Sequence, residues 1–193
     1  MKKILMTMVA ALAAVSMNAQ NNMYVGGSLG FATTTYDGDT KGTVFSILPE
    51  FGVQLSDKWG VGVTVGYNWI KNNGTPDLTS DSFKFAPYVR FTPVKLGSVN
   101  VFVDGVVGFT TGNVEAAVGN VNPVVVDNKF TNWGIGIQPG IAYNINEKFS
   151  LVAKFGNLLA FTSNKPKDGK ATNTFSVLDL NGNNLSFGFY YNF

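Results

Sequence analysis

From Trp59 to Trp69 the chain reads WGVGVTVGYNW. Trp, Val, Val, Val, Tyr and Trp occupy the odd positions, and Gly, Gly, Thr, Gly and Asn the even ones. A period of two is the repeat of a β-strand, whose successive side chains point to opposite faces. One face of this strand is a row of bulk closed at both ends by tryptophan, and the other is almost bare. Any fold for the chain has to find a solvent for each face.

The same alternation returns along the whole chain. Eight segments carry it: Met23–Thr33, Val44–Leu55, Trp59–Ile70, Ser82–Thr92, Val99–Thr110, Asn132–Asn144, Phe149–Phe161 and Leu185–Phe193. In the second, the bulky face holds Phe45, Ile47, Pro49, Phe51, Val53 and Leu55; in the fourth, Phe83, Phe85, Pro87, Val89 and Phe91. Helical periodicity of useful length is absent. After the N-terminal segment, no stretch has the roughly eighteen apolar residues that a membrane helix requires.

Charge decides which face is inside. Charged residues are 13% of the chain, about half the usual share. Within the segments they stand only on the small-residue face, as Glu50, Lys84, Arg90, Asp104 and Lys154. Eight strands closed into a barrel enclose a lumen that ordinary side chains just fill. The bulky faces together hold about forty large residues, far more than such a lumen admits. They must point outward, and an outward apolar surface of that area is tolerable only in lipid. The expected fold is an all-β, closed, eight-stranded antiparallel up-and-down transmembrane β-barrel, with the five charged residues forming a network in its lumen.

Lipid also accounts for the tryptophans. At about 3.3 Å per residue, Trp59 and Trp69 stand about 33 Å apart along their strand. Tilted by about 40°, that spans the roughly 25 Å apolar band of such barrels. Trp59, Trp69, Trp133, Phe149 and Phe161 are the expected members of aromatic girdles at the two headgroup levels. Pairing of every backbone N–H and C=O in hydrocarbon requires the first strand to meet the last. Pro49, Pro87 and Pro139 interrupt strand segments, and each should mark a bulge or a missing ladder bond, because proline has no N–H to donate.

Connections give an orientation. Short joins at Ser56-Asp57-Lys58, Pro93–Ser98 and Ile145–Lys148 alternate with long ones at about 34–43, 71–81, 111–131 and 162–184. Short periplasmic turns and long extracellular loops are the habit of these barrels. Residues 1–19 read as a signal peptide, with Lys2 and Lys3 ahead of an apolar run from Ile4 to Val15 and a cut after Ala19. The barrel domain is then 20–193. Removing two of 14 basic residues leaves 12 against 12 acidic ones, so the mature chain is neutral and offers no attraction to nucleic acid.

The chemistry available is narrow. The chain contains neither histidine nor cysteine, which removes the commonest general base and metal ligand and every thiolate. Gly134-Ile135-Gly136 lacks the following helix of a nucleotide fingerprint. Asp37-Gly38-Asp39 and Asp179-Leu180-Asn181-Gly182-Asn183 lack the closing glutamate of a calcium loop. No enzyme activity, metal or cofactor is expected.

An N-terminal signal, eight amphipathic strands and the closing LSFGFYYNF resemble the small outer-membrane β-barrels, including the membrane domain of OmpA-like proteins. The resemblance implies insertion in the lipid of a Gram-negative outer membrane and escort by periplasmic chaperones. It also implies recognition of the last strand, through Phe187, Phe189, Tyr191 and Phe193, by the barrel-assembly machinery. Barrel enzymes of this size rely on a histidine that is missing here, and with no cell-wall-binding domain expected after Phe193 a cell-wall anchoring role does not carry over. Two roles remain: a structural or surface-interaction protein acting through its extracellular loops, with a lumen plugged by the charged residues; or a small passive porin-like channel. A monomer is expected, and the extracellular ligand is unknown.

Overall fold

The computed structural model describes residues 22–35, 41–73, 77–118, 124–167, 169–179 and 185–193. The expected signal peptide, Asp37-Gly38-Asp39 and most of the turn from Asp179 to Asn183 lie outside those residues. The strands in chain order are β1 (Met23–Thr35), β2 (Lys41–Gln54), β3 (Trp59–Asn73), β4 (Asp77–Leu96) and β5 (Val99–Val118). They continue with β6 (Val124–Asn144), β7 (Phe149–Lys154), β8 (Asn157–Pro166), β9 (Thr172–Asp179) and β10 (Ser186–Asn192). All pairings are antiparallel. The ring runs β1-β2-β3-β4-β5-β6-β7-β10 and back to β1, closed by β5–β6 pairing from Val99↔Tyr143 to Val118↔Val124. β8 continues the wall of β7 along β6, and β9 lies against β8. Eight strands thus close one antiparallel barrel, and the ten strand pieces arise because two walls are broken.

Alternation sets the two surfaces. Leu29, Ile47, Trp59, Phe83, Trp133, Ile135, Leu151, Phe187 and Phe189 are exposed on the outside. Glu50, Arg90, Asp104, Tyr24, Tyr88, Phe102, Ala142, Val152 and Tyr190 are buried within. Val53 departs from the bulky outward set, being fully buried.

Pro49, Pro87 and Pro139 each stand at a break in pairing. The β2–β3 ladder skips from Ile47↔Tyr67 to Glu50↔Thr64 around Pro49. Around Pro87, β4–β5 pairing skips from Phe85↔Phe109 to Tyr88↔Val106. Opposite Pro139 the seventh wall splits: Ile137 pairs with Leu159 and Gly140 with Lys154, so three steps on β6 face five on its partner. Proline has no N–H for the ladder, and Pro139 contributes only its carbonyl, which accepts from the Phe155 N–H at 3.0 Å.

Strand limits differ from the sequence reading in a consistent direction. Pairing in β4 and β5 runs out to Asp77↔Ala117, and β9 occupies residues first read as a long loop. Beyond the apolar band a hairpin stands in water and needs no bulky face, so polar residues such as Thr79, Ser80 and Asp81 pair without leaving an alternation to read. The join expected at Pro93–Ser98 shrinks to Gly97-Ser98, with a one-residue register shift between Phe91 and Val94 that absorbs Pro93. Gly97 turns there with φ +58°, a conformation that favours glycine. At the β6–β7 turn, the Asn146 side-chain oxygen accepts from the Lys148 and Phe149 N–H groups, both at 2.9 Å.

Candidate functional site

Inward positions on five strands converge at one level of the lumen. Arg90 on β4 and Asp104 on β5 are direct cross-strand partners. The guanidinium grips the carboxylate with two parallel bonds, Nε to Oδ1 at 2.7 Å and Nη2 to Oδ2 at 2.8 Å. Glu50 enters from β2. Its Oε1 accepts from Tyr88 Oη at 2.6 Å, Tyr190 Oη at 2.7 Å and Arg90 Nη2 at 3.2 Å. Its Oε2 accepts from Lys154 Nζ on β7 at 2.7 Å, and Lys154 stands 3.4 Å from Asp104 Oδ2. Asp104 is fully buried, Glu50 and Arg90 are 5% exposed, and the Lys154 side chain 12%. Geometry this tight lets the ion pairs offset the loss of hydration that burial imposes.

Four aromatic rings share that level, and the sequence reading missed all of them. Arg90 lies 3.8 Å from the Phe102 ring centroid, and 5.1 to 5.4 Å from those of Tyr88, Tyr190 and Tyr24. Tyr24 and Tyr88 join hydroxyls at 2.6 Å. Because the Tyr88 proton is directed at Glu50, Tyr24 is the donor of that pair. Each ring stands opposite a glycine in register: Tyr24↔Gly52, Tyr88↔Gly62, Phe102↔Gly140 and Tyr190↔Gly26. A Cβ at any of the four glycines would collide with its ring. Bare inward positions therefore make room for rings from the neighbouring strand. Aromatics on the small-residue parity were the available sequence signal.

Lys84 faces the same lumen but stands apart from the ion pairs. It lines a chamber of about 70 Å³ together with Glu50 and Lys154, on the long-hairpin side of the cluster. A vestibule of about 500 Å³ opens on the short-turn side, lined by Asn22, Gln54, Asn100, Asn144, Asn146 and Asn192 among others.

On the outside, Trp59 packs on Phe91 at 4.6 Å between centroids, and Trp133 on Phe161 at 5.5 Å. Phe149 meets Tyr191 at 5.3 Å, and Tyr191 meets Phe193 at 4.9 Å. Trp69 is half-buried opposite Phe45 and Asp81. Phe187 and Phe189 are exposed on the lipid side of β10, and Phe193 is exposed just past its end. Among the described residues, no three of His, Cys, Asp or Glu gather as a metal site.

A closed ring with apolar residues outside and ion pairs inside finds its counterpart in a sequence family. The model for "Outer membrane protein beta-barrel domain" matches residues 4–193. The chain belongs to that outer-membrane barrel family. No curated protein matches it by sequence. Among solved structures, Neisserial surface protein A is 16% identical with a TM-score of 0.50, over 89% of this chain and 97% of that one. The translocator domain of the autotransporter NalP from Neisseria meningitidis is 12% identical with a TM-score of 0.53, over 90% of this chain and 65% of that one. At those identities the likeness is one of fold. Family and fold together place this barrel in the bacterial outer membrane.

Proposed function

We propose that this outer-membrane barrel is a structural or surface-interaction protein that presents its long hairpins outside the cell, with its lumen closed by the Glu50–Arg90–Asp104–Lys154 cluster. The carrying observation is that these four residues, with Tyr24, Tyr88, Phe102 and Tyr190, fill one cross-section of the lumen with hardly any exposed surface. Short turns then face the periplasm, and β10 supplies the assembly signal through Phe187, Phe189, Tyr191 and Phe193. Export by the N-terminal signal, a monomeric state and the absence of catalysis belong to the same reading; the chain has no histidine or cysteine to serve as base or nucleophile.

A passive channel is the second reading, and the two chambers favour it. A chamber lies on each side of the cluster, so a solute would have one charged layer to cross. Planar-bilayer recording of the purified, refolded protein separates the two. A silent membrane is expected, with openings only in Arg90→Ala; steady conductance from the unaltered protein would assign the channel instead.

A further inference from the structure

Counting charge across the lumen leaves a remainder. Glu50 and Asp104 are two carboxylates, whereas Lys84, Arg90 and Lys154 are three cations. Every carboxylate oxygen is engaged by another group: Glu50 Oε1 by Tyr88, Tyr190 and Arg90, and Oε2 by Lys154. Asp104 Oδ1 serves Arg90, and Oδ2 serves Arg90 and Lys154. Among the described residues, nothing forms an ion pair or hydrogen bond with Lys84. Its side chain nevertheless lines the 70 Å³ chamber, and Lys154 lines it too. Lys84 is half-buried, and an ammonium partly withdrawn from water without a carboxylate in contact favours a counter-ion beside it.

We propose that this chamber is a binding site for a small inorganic anion of chloride size, held between the ammonium groups of Lys84 and Lys154. Ser28, Thr64 and Ser186 also line the space, and their hydroxyls are neutral donors suited to completing a halide's coordination. Gln138, a further lining residue, already donates its amide to the Phe155 carbonyl at 3.0 Å. The volume admits one halide and a water or two, and is too small for a sugar or a large organic acid. Glu50 also lines the chamber, and its carboxylate is turned to Lys154, Arg90, Tyr88 and Tyr190, which leaves the Lys84 side of the space for the anion. The site stands whether or not the barrel conducts, because it needs only access from the long-hairpin side.

Bromide substitution tests this directly. Crystals of the detergent-refolded protein grown in sodium bromide should show an anomalous peak in the chamber beside Lys84, and Lys84→Met should lose it. In solution, chloride is exchanged at constant ionic strength for gluconate, which does not fit. The thermal midpoint of the unaltered protein should fall by about 2–4 °C, while that of Lys84→Met stays put in both salts. Lys84→Gln serves if the methionine variant does not refold. A chamber without a bromide peak, a peak that survives loss of the lysine, or a midpoint indifferent to chloride would each overturn the proposal.

Discussion

Arg90 is the residue on which the lumen cluster turns. It binds Asp104 through two nitrogens, reaches Glu50 and Tyr190 with Nη2, and rests on the Phe102 ring. Removing it leaves Asp104 fully buried with only Lys154 nearby, at 3.4 Å. Stranding a buried partner in this way costs on the order of 3–5 kcal/mol. Arg90→Ala should therefore lower unfolding stability in lipid vesicles by about that amount, read from urea titration. Lys154→Met should cost less, since Glu50 keeps Tyr88, Tyr190 and Arg90. Equal losses would mean that the arginine is not the hub. Arg90→Lys should fail to rescue, because an ammonium cannot make the paired contact with Asp104.

Strands β2, β3 and β6 show what the glycine-rich inner faces are for. Gly52, Gly62 and Gly140 lie opposite Tyr24, Tyr88 and Phe102, whereas an added Cβ at Gly108 on β5 would meet nothing within 4 Å. Gly62→Ala should push the Tyr88 hydroxyl off Glu50 and destabilise the barrel by about 1–3 kcal/mol, the usual cost of overpacking. Gly108→Ala should stay within about 0.5 kcal/mol of the parent. Denaturant midpoints of the two variants, measured side by side, decide between crowding and a general dislike of side chains on the inner face. Alternation predicted these strands, and proline chemistry predicted where pairing fails at Pro49, Pro87 and Pro139. It did not predict β9, whose exposed apolar residues, Phe175, Val177 and Leu178, sit among small polar neighbours that dominate the pattern.

At the scale of the molecule, the barrel exchanges the usual positions of oil and salt: aliphatic and aromatic side chains face out, and ion pairs face in. Ile137 is exposed near the middle of the outer face. On a water-soluble protein, Ile→Arg at an exposed site would change stability by no more than about 0.5 kcal/mol. In a bilayer it should cost about 2–4 kcal/mol, because the charge then sits in hydrocarbon. Folding of Ile137→Arg into vesicles, followed by the gel-mobility shift of unboiled protein, checks this. Indifference there would remove lipid as the outer solvent and the outer-membrane reading with it. Along the axis, the profile runs from an asparagine-lined vestibule through the charged layer to the smaller chamber.

What the chain settles alone is a matter of parity. Period-two bulk in eight segments, with every charge inside those segments on the opposite parity, dictates closed strands in lipid and an ionic lumen, because no aqueous fold can hide that many large side chains. Where each strand slides against the next is not contained in parity. Register is a sum of cross-strand contacts between residues far apart in the chain, and it brings Glu50 to Tyr88, Tyr190 and Lys154, seats four rings over four glycines, and leaves Lys84 outside the ion pairs. Those juxtapositions were decided only when the sheet closed.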